Sequence, residues 1–155
     1  MLKLEDVISK IQVYNPKADV DFIKKAYVFC AKKHEGQKRK SGQPYIIHPL
    51  EVASILADMH LDVPSIVAGI LHDTIEDTEC TREEIAKLFG EDIAALVDGV
   101  TKLSKLQFNS QQDRQAENFR KMIVAMSQDI RVILIKLADR LNNLRTLQFM
   151  TEEKQ

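Results

Sequence analysis

The chain has 155 residues, of which 45% are hydrophobic and 29% are charged, and its formal net charge is −1. This size and composition are typical of one soluble globular domain, and the near-zero charge excludes a global field that would attract nucleic acid or a membrane. Cys30 and Cys80 have no CxxC spacing, which favours a reducing cytoplasm over a disulfide framework or a zinc knuckle. The charged start of the chain and the lack of a long apolar run predict neither a signal peptide nor a membrane span.

Apolar residues with helical spacing begin near the N-terminus. The first helix is predicted from Leu4, Val7, Ile8 and Ile11. Asn15-Pro16 ends that helix, and Asp19 is placed to cap a second helix that runs to about His34. The residues at 37–44 are basic and rich in turn formers, so they predict a loop.

Prolines mark the starts of the next two helices. His48-Pro49 and Val63-Pro64 each place a proline at the predicted first position of a helix. The second of these helices is expected to end at His72-Asp73. Thr81 begins a capping box for another helix, and Gly90 is placed to terminate it.

The C-terminal half is also helical in pattern. One helix is predicted from Ile93, Leu96, Val97 and Val100, and a later one from Phe119, Met122, Ile123 and Met126. Residues 101–114, between them, have little periodicity and predict a polar connection. Residues 130–144 are apolar nearly all round in their first half, which predicts a centrally placed helix. Because no strand pattern has a credible partner, the sequence predicts an all-α fold.

The sequence LHDTIED at residues 71–77 begins at the end of an apolar segment and is rich in titratable groups. Burying so many charges beside aliphatic residues is costly unless something compensates them, and a divalent cation would do so. Glu76 lies four residues after His72, and Asp77 four after Asp73, so each pair would share a helical face. The alternative is a helix cap with a solvated acidic turn.

Two more polar residues stand in apolar surroundings. Asp139 follows Leu137-Ala138, where a lone carboxylate needs a partner; the alternative to a metal is a salt bridge to Arg140 or to a neighbouring helix. His48 could instead be a partly exposed helix cap. Together, the candidate metal ligands are His48, His72, Asp73 and Asp139. Two imidazoles and two carboxylates suit Mn²⁺ or Fe²⁺, and such an ion lowers the pKa of bound water.

Four strings carry a resemblance to a known family: GQKRKSGQPYIIHP at 36–49, LHDTIEDT at 71–78, GVTKL at 99–103 and KLADRLNNLRT at 136–146. With the H…HD…D pattern, they resemble the hydrolase domain of RelA/SpoT-type proteins, within the HD-domain phosphohydrolases. The resemblance covers about residues 19–146. It implies an all-α HD-domain helical bundle and removal of the 3′-pyrophosphate from (p)ppGpp, giving GDP or GTP and pyrophosphate, with Mn²⁺ as cofactor.

The resemblance also implies roles by position. It makes His48, His72, Asp73 and Asp139 the metal ligands, and it makes Glu76 and Asp77 the catalytic acidic pair. The implied substrate-binding residues are Arg39, Lys40, Ser41, Tyr45, Asn143 and Thr146. Within this set the arginine is expected to stack on guanine, since a planar guanidinium suits that role. Composition alone favours a solvated basic turn at residues 38–40.

The resemblance implies that residues 1–155 form one HD-type hydrolase domain, cut at its C-terminal end from a longer parent with synthetase and regulatory domains. The predicted substrate is a small guanine nucleotide, with no nucleic acid or membrane partner. One alternative is an HD-domain phosphohydrolase for another nucleotide, such as a 5′-nucleotidase. Another is a nucleotide-sensing module without turnover. The intact acidic pair and the Arg39 loop favour the hydrolase.

Overall fold

The computed structural model describes residues 2–39, 42–104, 116–117, 119–120 and 129–145. Their helices are α1 Leu4–Tyr14, α2 Val20–Lys33, α3 Ile47–Asp58, α4 Val63–Leu71, α5 Thr74–Asp77, α6 Arg82–Phe89, α7 Glu91–Ser104 and α8 Ile130–Arg145. Within these ranges no strand forms, and an isolated antiparallel bridge joins Lys38 to Pro44 in the loop after α2. The prediction of an all-α fold is confirmed.

Side-chain caps set where several helices begin. The carboxylates of Asp19 and Asp62 and the hydroxyl of Thr81 each accept a hydrogen bond of 3.0–3.2 Å from the backbone N–H three residues on. Such bonds satisfy amides that have no partner inside the helix. The predicted ends at Asn15 and Gly90 are confirmed, and the glycine adopts φ +100°, which side chains rarely tolerate.

The two prolines lie slightly deeper in their helices than predicted. Pro49 is the third residue of α3, because the backbone of Ile46 is already helical and the helix begins at Ile47. Pro64 is the second residue of α4. Both positions lie in the first turn, where a proline costs no intrahelical hydrogen bond.

Helix α4 is the centre of the bundle. It packs against α2, α3, α7 and α8, and every residue from Ser65 to Leu71 is buried. A Cβ atom at Gly69 would lie 2.5 Å from Cδ1 of Leu56, so the glycine permits the close approach of α3. Because α4 runs through the interior, its C-terminal end delivers His72 into the interior as well.

The prediction of a helix over residues 130–144 is confirmed, but its central placement is wrong. Helix α8 buries one face, which includes Val132, Ile135 and Ala138, and packs on α3, α4 and α7. The opposite face is exposed, with Leu137, Leu141 and Leu144 at 56%, 40% and 62%. The buried face also carries Asp139 and Asn142, so this helix turns polar residues inward.

Helix α7 continues past the predicted start of the polar connection at Thr101. The hydroxyls of Thr101 and Ser104 donate to the carbonyls of Val97 and Val100, each at 2.9 Å, which lets polar residues extend the last turn. The connection predicted at 105–114 and most of the helix predicted from Phe119 to Met126 lie outside the described residues. In the described parts of the chain, no helix has the length and apolarity needed to cross a membrane.

Candidate metal centre

Four side chains from three places in the chain converge on one point. His48, His72, Asp73 and Asp139 each offer one ligand atom, and these atoms all lie within 4.8 Å of one another. Asp139 Oδ1 lies 2.8 Å from His48 Nε2 and 3.3 Å from His72 Nε2. His48 is 2% exposed, so the alternative of a partly exposed cap is wrong.

The outer nitrogen of each imidazole is held by an acceptor. His48 Nδ1 donates to Asn142 Oδ1 at 2.5 Å, and His72 Nδ1 donates to the carbonyl of Gly69 at 2.6 Å. An amide or carbonyl oxygen can only accept, so both Nδ1 atoms carry a proton and both Nε2 atoms face the carboxylates. Fixing the tautomer in this way is what metal-ligating histidines require.

The spacing of the four ligand atoms fits a divalent ion. His72 Nε2 lies 3.1 Å from Asp73 Oδ2, and His48 Nε2 lies 3.8 Å from the same oxygen. Ligands about 2.1 Å from an ion and at right angles to each other lie roughly 3.0 Å apart. The residues present therefore fit a metal with nitrogen and oxygen ligands.

Electrostatics favour a cation at this point. Burial alone would raise the pKa of the Asp73 carboxyl, but the charge and hydrogen bond of His72 hold it well below its usual range. Burial acts likewise on Asp139, and hydrogen bonds from His48 and His72 lower its pKa. Burial would lower the pKa of His72, but Asp73 and Asp139 raise it to about 10. Both carboxyls are therefore ionised near neutral pH.

Asp139 has a cationic partner on its own helix. Lys136 Nζ donates to Asp139 Oδ2 at 3.2 Å and to Ser104 Oγ at 2.8 Å. One carboxylate oxygen thus faces the imidazoles and the other faces an ammonium. Of the two salt bridges weighed from the sequence, the one to Arg140 does not form among the described residues, whereas His48 of the neighbouring helix α3 pairs with Asp139 Oδ1 at 2.8 Å. Lys136, three residues earlier on α8, is a further cationic partner.

The acidic pair follows the ligands directly. Helix α4 ends at Leu71 and α5 begins at Thr74, so His72 and Asp73 lie in the turn between them. The Asp77 N–H donates to the Asp73 carbonyl at 2.9 Å, which puts Asp77 one turn beyond Asp73 as predicted. Glu76 is exposed and lines the same cleft.

Tyr45 joins the metal centre to the acidic pair. Its hydroxyl contacts the carboxylate of Asp73 and lies 3.2 Å from Asp77 Oδ2. Burial and the charge of Asp73 raise the pKa of Tyr45 far above its ordinary value, so the phenol keeps its proton. Burial and Asp73 also raise the pKa of the Asp77 carboxyl.

A second layer lies behind Tyr45. The rings of His34 and Tyr45 stack with centroids 4.3 Å apart, and His34 Nδ1 lies 3.1 Å from Gln37 Oε1. The Gln37 amide in turn donates to the Asp77 carbonyl at 3.3 Å. Sequence reasoning placed His34 only as a helix end and missed this support.

Arg39 is docked on α8. Its guanidinium donates to Asn142 Oδ1 at 3.2 Å and to Asn143 Oδ1 at 2.8 Å. Composition alone favours a solvated basic turn at residues 38–40, and the structure contradicts this at Arg39. Lys40, Ser41 and Thr146, the other predicted loop and pocket residues, lie outside the described residues.

These groups border one cleft of about 320 Å³. Its walls are Arg39, Tyr45, His48, Asp73, Glu76, Asp77, Ser104, Lys136, Asp139, Arg140 and Asn143. Sequence reasoning missed Lys136 and Arg140 in this wall and Asn142 behind it. The Asn142 amide also contacts Glu51, so this asparagine of α8 joins two residues of α3, His48 and Glu51. Polar residues on a helix are usually solvent-facing, so their spacing gave no signal of this role.

Comparison with known proteins shows that residues 26–155 match the model of the HD domain family. A GTP pyrophosphokinase of Myxococcus xanthus is 64% identical over 148 residues, which are 94% of this chain and 20% of that protein. A guanosine-3′,5′-bis(diphosphate) 3′-pyrophosphohydrolase of Escherichia coli O157:H7 is 51% identical over 154 residues, 99% of this chain and 22% of that protein.

One solved structure extends the likeness to three dimensions. It is described as a metazoan ortholog of SpoT that hydrolyses ppGpp, and it is 32% identical with a TM-score of 0.66. The match covers 85% of this chain and 76% of that one. By contrast, the chain spans about a fifth of the length of the curated relatives it matches.

Proposed function

This chain belongs to the HD domain family, as a hydrolase domain of the RelA/SpoT type, and from that premise we propose that it is a (p)ppGpp 3′-pyrophosphohydrolase. The observation that carries the proposal is the cleft in which the four candidate ligands, the acidic pair and a docked arginine meet. The similarity to the pyrophosphohydrolase from E. coli O157:H7 and to the metazoan ortholog that hydrolyses ppGpp supports the same substrate.

The proposed reaction is hydrolysis of the bond between ribose O3′ and its phosphorus. The oxygen of one water forms a bond to the phosphorus attached to ribose O3′, and the bond from that phosphorus to O3′ breaks. The O3′ atom takes a proton and becomes a hydroxyl, which leaves GDP or GTP. The pyrophosphate carries the water's oxygen.

His48, His72, Asp73 and Asp139 would hold the metal ion, for which we propose Mn²⁺ because the ligands are two nitrogens and two oxygens. When bound, the ion supplies positive charge that acidifies water and neutralises phosphoryl oxygens. Asn142 and the Gly69 carbonyl keep the two imidazoles in the tautomer that presents Nε2. The protein thus fixes the ligand geometry before the ion arrives.

Glu76 and Asp77 would move the protons. A carboxylate of this pair would accept a proton as the water attacks and return one to O3′. Tyr45 and Gln37 hold Asp77 in place from its side chain and its backbone, and Glu76 lies exposed in the wall of the same cleft.

Arg39 would bind the guanine by stacking. Two hydrogen bonds to neighbouring asparagines fix the plane of its guanidinium, and a fixed plane is a good stacking surface. Tyr45 and Asn143 line the same cleft, and Lys40, Ser41 and Thr146 complete the proposed nucleotide contacts by resemblance. Cys30 and Cys80 are free and buried, which accords with a cytoplasmic enzyme.

The decisive experiment combines metal analysis with an assay of pyrophosphate release from ppGpp. We expect stoichiometric release of GDP and pyrophosphate in Mn²⁺ and none after chelation. Phosphate release from a 5′-nucleotide without pyrophosphate release from ppGpp would instead indicate an HD-domain phosphohydrolase of another specificity. Tight ppGpp binding without turnover would indicate a nucleotide-sensing module.

A further inference from the structure

Helix α8 carries two cations that the proposed mechanism does not use. Lys136 and Arg140 lie four residues apart and line the cleft together with Asp139 and Asn143. Residues at this spacing share one face of a helix. The part of the cleft wall formed by α8 therefore carries two cations, while residues outside α8 add the carboxylates of Asp73, Glu76 and Asp77.

Lys136 has an ammonium donor to spare. Of its three N–H groups, one meets Ser104 Oγ at 2.8 Å and another meets Asp139 Oδ2 at 3.2 Å. The side chain is 18% exposed, and its exposed part borders the cleft. Among the described residues the third N–H group has no acceptor, and an anion in the cleft, beside the candidate metal ligand, could supply one.

Arg140 is uncommitted. Across the described parts of the chain, its guanidinium takes part in no hydrogen bond or ion pair, although it is exposed and lines the cleft. A guanidinium offers five donors in a planar fork, which matches two oxygens of a phosphate group. An arginine left open at the mouth of a polar cleft is thus available to an anion.

The order of groups along α8 gives the substrate a direction. Asn143, where Arg39 docks, and Lys136 are seven residues apart, on the order of 10 Å along the helix axis. A guanine on Arg39 would lie at one end of this line, Lys136 lies beside the metal ligand Asp139 at the other, and Arg140 lies between them. Without these cations, the carboxylates outside α8 would repel a polyphosphate.

We propose that Lys136 and Arg140 form the binding site for the 3′-pyrophosphate group, an assignment that rests on the proposed function. The ammonium of Lys136 binds an oxygen of the phosphate attached to O3′, next to the metal ligands. The guanidinium of Arg140 binds the outer phosphate with its fork. The same pair binds free pyrophosphate after the reaction.

The test is calorimetric titration of inorganic pyrophosphate into the Mn²⁺-loaded chain, with excess Mn²⁺ so that chelation is equal in every titration. Arg140→Gln should weaken pyrophosphate binding by about 10-fold to 100-fold, the usual range for a charged hydrogen bond. Arg140→Lys should recover part of the loss. The matched control, Lys87→Gln, removes an exposed charge from α6, which lies outside the cleft wall, and should change nothing.

GDP is the second probe, because it lacks a 3′-phosphate. Arg140→Gln should leave GDP affinity within about twofold of the parent if Arg140 serves the 3′ end. Equal losses for GDP and pyrophosphate would overturn the assignment to that end. An unchanged pyrophosphate affinity in Arg140→Gln, or an equal loss in Lys87→Gln, would overturn the site.

Lys136→Met tests the other half of the pair. We expect weaker pyrophosphate binding with unchanged Mn²⁺ content; loss of Mn²⁺ would make Lys136 a support for Asp139 and overturn its role as a phosphate ligand. Pyrophosphate binding needs no turnover, so it separates the two proposals. Arg140-dependent binding without hydrolysis of ppGpp refutes the proposed function alone, and hydrolysis with unaltered binding in Arg140→Gln refutes the inference alone.

Discussion

The metal centre and the loop at residues 37–46 lie side by side but are built differently. The centre sets its ligands in or beside α3, α4 and α8, and both imidazoles are 2% exposed or less, each with its outer nitrogen bonded. The loop is partly or fully exposed at its described residues, 37–39 and 42–46, and among them the bridge from Lys38 to Pro44 is the main regular feature. Its strongest tie to α8 is the pair of bonds from Arg39.

This difference separates chemistry from recognition. The buried candidate ligands on packed helices cannot shift without disturbing the core, so the packing fixes their positions. The backbone of a loop held mainly by the side-chain bonds of one arginine can adjust to a nucleotide at little cost, while that guanidinium stays in place. Tyr45 belongs to both regions, because it ends the loop and contacts Asp73 and Asp77. We therefore expect mutations in the centre to act on metal and turnover, and mutations in the loop to act on substrate affinity.

The largest expected effect is loss of the ion in Asp73→Ala. Removing this carboxylate leaves two imidazoles and Asp139, so Mn²⁺ content should fall to background and hydrolysis with it. Thermal unfolding should no longer shift upward on adding Mn²⁺, since only a folded protein that binds the ion gains stability from it. Asp58→Ala, an exposed carboxylate paired with Lys10, is the control and should keep the shift. Full Mn²⁺ occupancy in Asp73→Ala would remove Asp73 from the proposed ligands.

The next effect separates turnover from metal binding within the centre. Asp77→Ala and Glu76→Ala should retain Mn²⁺ but lose hydrolysis by about 10²-fold to 10⁴-fold, the usual contribution of a general acid or base. Metal analysis and initial rates on the same preparations check this. If either variant loses the ion, that carboxylate is a ligand and its proposed role is wrong.

Much of this arrangement could be predicted from local patterns, because caps and helical spacing act within a few residues. Asp19, Thr81 and Gly90 bound their helices as expected. The orientation of α8 could not be predicted, since its sequence is apolar on two faces and periodicity does not say which face packs inward. Contacts from Asp139 to His48 and from Asn142 to His48 turn the polar face inward, and these join residues more than 90 positions apart.

The residues around the centre were the hardest to foresee. The resemblance supplied Asn143, but it is Asn142, one position earlier, that holds the ligand His48. An asparagine pair on a helix usually indicates a solvated face, and Asn142 is 1% exposed. His34 likewise can be predicted from the sequence only as the end of α2. Its ring stacks on Tyr45 only because the fold brings the two residues together.

A smaller effect distinguishes these two neighbouring asparagines. Asn142→Ala removes the acceptor that orients His48, and Mn²⁺ affinity should fall by about 10-fold to 100-fold, as for other groups that orient metal-ligating histidines. Asn143→Ala, the matched control, should leave Mn²⁺ affinity unchanged and raise the KM for ppGpp. Metal titration of both variants checks the contrast. Equal Mn²⁺ affinities in the two variants would mean that Asn142 does not orient His48.

The smallest expected effect lies in the loop and tests whether Arg39 stacks on guanine. Arg39→Ala should raise the KM for ppGpp while kcat changes less, because the residue binds substrate away from the reacting phosphorus. Arg39→Lys should rescue little, since an ammonium neither stacks as a plane nor spans two asparagine oxygens.

A purely electrostatic role for Arg39 would give a different pattern. Lysine would then restore most of the affinity, and added salt would remove the difference between Arg39→Ala and the parent, because exposed charges are screened over about 10 Å at 0.1 M salt. Measuring KM for the parent and both variants at low and moderate salt separates the two roles. A KM for Arg39→Lys equal to that of the parent at both salt concentrations would exclude stacking. The loop would then contribute only charge, and the contrast between a fixed centre and a shape-specific loop would fail at the loop.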